Sequence, residues 1–216
     1  PSAEGYFRMG PDSRAIEEAA RTLAASSQPV MIVGDRVAQS EASAEAVHVA
    51  ELLGARVYAS NYSEMNFPTG HPQFMGRSQP GTPAFSDAVS GADVAMAVGT
   101  NVFSGFFYFS GRALSPETTL VHVDSAYREV GKSEPTDVGI IADPKVALAE
   151  LADALEATMS GSAREAAKGR AISLADEKRS IKQAWEERLK ERWDVSPMST
   201  ERMMTEVAKA LPADTI

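Results

Sequence analysis

The 216-residue sequence contains no cysteine, which excludes disulfides, thiolate nucleophiles and cysteine-based metal sites and makes a reducing, cytoplasmic compartment the default expectation. It also lacks any stretch approaching the ~20 consecutive apolar residues that a membrane-spanning helix requires. The opening residues, PSAEGYFRMG, have neither the basic region nor the apolar core of a secretory leader. The expectation is a soluble chain with no membrane partner. Cationic excess is missing too: 21 Lys and Arg stand against 30 Asp and Glu, a formal net charge of −9. General nucleic-acid binding, which rests on neutralising phosphates, is therefore not expected. The basic residues that do gather, from Arg164 to Arg192, alternate with acids and read as a solvated helix.

What is present is a repeated alternation of two kinds of segment. PVMIVG (29–34), RVYAS (56–60), DVAMAVG (93–99), TLVHVD (119–124) and DVGII (137–141) are short, β-branched and apolar without interruption. Strands covered on both faces have this composition. Between them, Ser40 to Leu53 reads as a helix with Ala44, Val47 and Leu52 near one face and Gly54 as a left-handed C-terminal cap. Asp143-Pro144 is an N-cap followed by proline at the first helical position, and Leu148, Leu151 and Leu155 continue as an apolar stripe. Asp12 caps a helix whose Ile16, Ala19, Ala20 and Leu23 face the sheet. The pattern predicts an α/β fold: a doubly wound, mostly parallel sheet of about six strands with helices on both faces, followed by a long connector helix.

Three regions follow from this reading: 1–160, the sheet domain; 161–195, a charged connector helix with Ile172, Ile181, Trp185 and Leu189 as a narrow docking stripe; and 196–216, a helix from Ser199 to about Pro212 followed by ADTI, the approach to a further strand. Both ends of the sequence look abrupt, and the expectation is an excised piece of a longer polypeptide.

Few motifs with a defined chemistry are present. In an open parallel sheet, ligands bind beyond the carboxyl ends of strands. The candidate tips are Gly34-Asp35, Gly99-Thr100-Asn101 and Asp124-Ser125, and none forms the G-x-G-x-x-G dinucleotide fingerprint. Asp124 could receive a ribose, or could simply cap a turn. Gly131-Lys132-Ser133 ends like a phosphate loop, but Ala126 stands where that loop needs glycine. His48, His71 and His122 lie far apart, with no metal or acid–base spacing. His48 is expected on a helix and His122 within a strand, both as satisfied structural histidines, and His71 as a residue that fixes the irregular connection 66–76. No catalytic residue and no metal ligand is assigned.

Taken in order, the segments from PVMIVGDRVAQSEASAEAVHVAELLGARVYAS through FPTGHPQFMG, ADVAMAVGTNVF and TLVHVDSAYREVGKSEPTDVGIIADPKVALAEL to LPADTI resemble the central domain of thiamine diphosphate-dependent decarboxylases and carboligases. The likeness is greatest to the benzoylformate decarboxylase group, with the acetolactate synthase group next. It covers residues 12–158, and 196–216 is similar to the opening of the third, diphosphate-binding domain.

The resemblance implies a 2-keto acid decarboxylase or carboligase that holds thiamine diphosphate and Mg²⁺ between a first domain, bearing an activating glutamate, and a third, bearing Gly-Asp-Gly. Neither domain is represented, and Gly-Asp-Gly does not occur in the sequence. By itself, then, the polypeptide is expected to be catalytically silent and largely structural. Its implied partners are the missing N- and C-terminal domains, in a homo-oligomeric parent, dimer or tetramer. Some relatives bind FAD or ADP in this domain. Here such a nucleotide is less expected than none, and Gly34, Gly99, Thr100, Asn101 and Asp124 would line its site. The alternative to the structural reading is a nucleotide-binding regulatory module of the same fold.

Aromatic residues make up only 7% of the chain, yet Phe106, Phe107, Tyr108 and Phe109 are consecutive. In benzoylformate decarboxylases the corresponding loop carries a histidine that assists proton transfer, and the matching position here is Phe106. The resemblance thus implies a substrate-facing lip of Phe103, Phe106, Phe107 and Tyr108 with no proton-relaying group. Packing of the rings beneath a neighbouring domain or subunit is the competing reading.

Overall fold

A computed structural model describes residues 8–60, 65–78, 82–101 and 112–212. They form two compact units, Pro1–Leu174 and Ala175–Ile216.

The first unit is built on six strands: β1 (Pro29–Val33), β2 (Arg56–Ser60), β3 (Phe74–Ser78), β4 (Val94–Val98), β5 (Thr119–Asp124) and β6 (Val138–Ile141). Their order is β3-β2-β1-β4-β5-β6, with every pairing parallel. The chain leaves β3 and returns to the opposite side of β1 as β4, so the direction of winding reverses between β1 and β4.

Side chains on the two faces enter two separate cores. On one face Met31, Val33, Val57, Met96, Val98, Val121 and Val123 pack with residues from α1 (Ser13–Ala24), α3 (Ser43–Leu53) and α5 (Pro144–Thr158). On the other, Val30, Ile32, Tyr58, Ala95, Ala97 and Leu120 pack with Phe85 and Val89 of α4 (Pro83–Val89). The double coverage explains why β1 and β4 show no polar alternation: all five residues of each are buried.

The helix ends follow their local chemistry. The Asp12 carboxylate accepts from the Arg14 N–H, and Asp143 accepts from the Lys145 and Val146 N–H groups ahead of Pro144. Leu148, Leu151 and Leu155 are fully buried on α5, each worth roughly 1.5–3 kcal/mol of apolar burial. Gly54 ends α3 with φ +59°. A Cβ there would lie 2.1 Å from the Ala167 carbonyl oxygen, so glycine is required both by conformation and by the close approach of α6 (Gly161–Glu191). Three residues further along α6, Arg170 donates to the Leu53 carbonyl from Nε at 3.2 Å and Nη2 at 2.6 Å, placing a cation on the C-terminal end of α3.

Several expectations need correction. The segment 66–76 does not remain irregular throughout: Phe74–Ser78 adds β3 at the sheet edge, with a register shift against β2 and Gly76 at φ +111°. The helix foreseen from Ser40 begins only at Ser43, as α3, and a separate short helix not foreseen, α2 (Asp35–Gln39), precedes it with Glu41 at φ +56° between them. In α3 the buried stripe is Ala46, Val49, Ala50 and Leu53; Ala44 is exposed, and Val47 and Leu52 only border the core. On α6, Ile172, Ile181 and Trp185 are exposed, and the buried positions are Ala167, Leu174 and Leu189. Period-3.6 patterns fix a helix but leave its rotation open when alanines are plentiful, because alanine contributes little to either face.

In the second unit, Ser199 caps α7 (Thr200–Ala210) by accepting from the Arg202 N–H. Arg202 and Lys209 each place their charge 5.0 Å from the Trp193 ring centroid. No α7 residue is buried, and Met203, Met204, Val207 and Leu211 are exposed.

Candidate functional site

The strand tips at the reversal point converge as a doubly wound sheet requires, and they are joined to one another. Gly34 follows β1 and donates its N–H to the Val98 carbonyl at 3.0 Å, and the Arg36 N–H reaches the Gly99 carbonyl at 3.0 Å. Gly99 in turn donates to the Val123 carbonyl at 2.9 Å. A Cβ on Gly34 would fall 2.3 Å from Thr100 Cβ and 2.6 Å from the Gly99 oxygen. Gly99 adopts φ +58°, and its own Cβ would lie 2.8 Å from the Val37 nitrogen. Both glycines are thus demanded by contact between the β1 and β4 tips. Thr100 Oγ1 donates to Ser60 Oγ at 3.1 Å, extending the chain of contacts to β2.

Arg36, which the sequence reading did not single out, organises the rest. Its Nε meets Asp124 Oδ1 at 2.6 Å and its Nη2 meets Asp124 Oδ2 at 2.6 Å, a two-pronged ion pair. The same Nη2 donates to the Asn101 side-chain oxygen at 2.7 Å. Asp124 is completely buried and also accepts the Ala126 N–H at 2.7 Å. Burial pushes its carboxyl up; the neighbouring His122, the Arg36 pair and the Ala126 N–H outweigh that and hold it below its ordinary value. Of the five positions proposed for a nucleotide, the structure gathers Gly34, Gly99 and Thr100 at one contact and links Asn101 to Asp124 through Arg36. Phe103, Phe106, Phe107, Tyr108 and Phe109 lie outside the described residues.

The histidines separate by role. His48 is on α3, exposed, 3.2 Å from Glu156. His71 accepts from the Gln73 N–H, approaches Glu51 at 3.3 Å and meets the Phe67 ring edge-on at 5.3 Å, so it fixes its connection. His122 is the correction: it is buried on β5, but its Nε2 has no hydrogen-bond partner, with Asp124 Oδ2 at 3.7 Å beyond bonding reach. That carboxylate is already engaged by Arg36 and cannot turn toward the ring without loosening the ion pair.

Among the described residues no group of three or more His, Asp or Glu could hold a metal ion, and Gly-Asp-Gly is absent. A groove of about 310 Å³ between α3 and α5 is lined by Ala44, Glu45, His48, Ala149, Ala152 and Asp153 and shares nothing with the strand tips.

A doubly wound parallel sheet whose reversal point is closed on itself is the class that fold and site define. Residues 16–151 match the family model described as thiamine pyrophosphate enzyme, central domain, and the chain belongs to that family. It is 35% identical over 146 residues to an acetolactate synthase of Mycobacterium avium, spanning 67% of this chain and 23% of that protein. A sulfoacetaldehyde acetyltransferase of Rhodobacter capsulatus is 31% identical over 146 residues, 66% of this chain and 25% of the relative. Among solved structures, a benzoylformate decarboxylase of Polynucleobacter necessarius superimposes with a TM-score of 0.66 at 28% identity, covering 72% of this chain and 29% of that one. The chain thus spans about a quarter of the length of the curated relatives it matches.

Proposed function

We propose that the chain is the central, largely structural domain of a thiamine diphosphate-dependent 2-keto acid decarboxylase or carboligase. It supplies packing surface, while thiamine diphosphate and Mg²⁺ are held by domains outside this sequence. The observation that carries the reading is the family match over residues 16–151, joined to strand tips that satisfy one another through Arg36, Asp124 and the Gly34–Thr100 contact. The parent works in the cytoplasm as a homo-oligomer, and Phe103, Phe106, Phe107 and Tyr108 form a lip toward its substrate.

Calorimetric titration of the purified chain with thiamine diphosphate and Mg²⁺, together with a 2-keto acid turnover assay, tests the first part. The expected result is neither binding nor turnover; tight retention of the coenzyme or measurable turnover overturns it. For the lip, Phe106→His in the full-length enzyme is expected to change kcat/KM with assembly intact. Unchanged kinetics with loss of the oligomer assigns the rings to an interface instead.

A further inference from the structure

The geometry points to Arg36 as an internal occupant of the nucleotide position, a guanidinium that stands where the ribose of an adenine nucleotide would bind and keeps this domain closed to such ligands. A strand-end carboxylate recognises ribose by accepting hydrogen bonds from its hydroxyls. A vicinal diol would present two donors side by side to the two oxygens of one carboxylate. Arg36 presents the same arrangement, with Nε on Asp124 Oδ1 and Nη2 on Oδ2, both at 2.6 Å. Its third contact, with the Asn101 oxygen at 2.7 Å, uses another polar group at the same sheet edge. Asp124 is fully buried and Arg36 mostly so. A ribose arriving from solvent would therefore have to displace a charge-assisted, two-pronged bond with neutral hydroxyls, a losing exchange.

The pair is also anchored. The Arg36 backbone is bonded to the Gly99 carbonyl, so the side chain springs from a point held against β4 and reaches β5 without a flexible intervening loop. Arg36 is separated from Asp124 by 88 positions, so closure is a property of the folded domain.

This inference rests on the reading of the domain as a scaffold working without nucleotide, and the experiment separates the two. Isothermal titration with ADP, 2′-deoxy-ADP and FAD is run on the unaltered chain, on Arg36→Ala, and on Arg36→Ala combined with Asp124→Asn, with circular dichroism confirming the fold. No binding is expected for the unaltered chain. Arg36→Ala is expected to gain at least about tenfold in ADP affinity, roughly 1.4 kcal/mol, with a smaller gain for 2′-deoxy-ADP, and Asp124→Asn should erase the gain. Should Arg36→Ala not fold, Arg36→Met keeps the packing stem and is read in its place. A folded variant with no gain overturns the role of Arg36 and leaves the scaffold reading standing. Binding of ADP or FAD by the unaltered chain overturns both.

Discussion

The two ends of the sheet each hold a carboxylate, and they satisfy it in opposite ways. At the N-terminal end Asp93, just before β4, receives only neutral donors: the Ser26 hydroxyl, the Ser27 N–H at 2.6 Å and hydroxyl at 2.8 Å, and the Gln28 N–H at 2.9 Å. Burial raises its pKa, and these bonds more than reverse that, holding it at about 2. At the C-terminal end Asp124 makes two of its three hydrogen bonds to one cation, Arg36, and the third to the Ala126 N–H. The first arrangement spreads its stabilisation over four donors from the α1–β1 connection, so losing one leaves three. The second places its only charged partner on one side chain, so losing Arg36 leaves a buried carboxylate with the Ala126 N–H alone. The end of the sheet where this fold offers ligand space is the end that relies on one replaceable side chain.

The largest effect should come from Asp124→Ala, which leaves the Arg36 guanidinium with no counter-charge and only the Asn101 oxygen, and is expected to cost about 3–5 kcal/mol in urea unfolding. A loss below about 1 kcal/mol would show that the two ends do not differ in kind. Gly34→Ala, which drives a Cβ into Thr100, is expected to cost roughly 1–3 kcal/mol by overpacking. Asp93→Asn keeps the shape but turns an ionised acceptor into a neutral amide, for an expected loss of about 1–2 kcal/mol. Its signature is in pH. Because the folded-state pKa of Asp93 lies below the unfolded value, its contribution is fully present above the unfolded pKa and disappears as pH falls from about 4 toward 2. Asp124 acts in the same sense. Unfolding free energy followed from pH 6 to 2 should therefore decline less steeply in Asp93→Asn than in the unaltered chain; parallel profiles would refute the assignment. The smallest effect belongs to Lys168→Ala, which removes an exposed pair with Glu165 and should change stability by less than about 0.5 kcal/mol.

Much of the fold was legible because its signals are local. Buried strands announce themselves as unbroken β-branched runs, as in PVMIV and VAMAV, and Asp12, Gly54, Asp143 and Ser199 each terminate a helix through bonds within a few residues. β3 escaped because an edge strand with one buried residue in five and an internal glycine carries no period-2 pattern. At the candidate site, the sequence named the glycines and Asp124 from their positions at strand ends, and it missed Arg36. The pairing spans 88 positions. The only available signal was an arginine two residues beyond a strand-end glycine, in a chain with an uncompensated aspartate closing another strand. His122 was expected to be satisfied, since burial usually entails a partner, but Arg36 had already claimed the nearest acceptor.

The seating of Arg170 on the Leu53 carbonyl, and of Ala167 against Gly54, bears on where this polypeptide can be cut. A fragment stopping near residue 160 would strip the guanidinium from the last turn of α3 and uncover Gly54, whereas one extended through Leu174 keeps both contacts. The longer fragment should express and melt as a cooperative body, with the shorter one fraying first at Leu53 in hydrogen exchange.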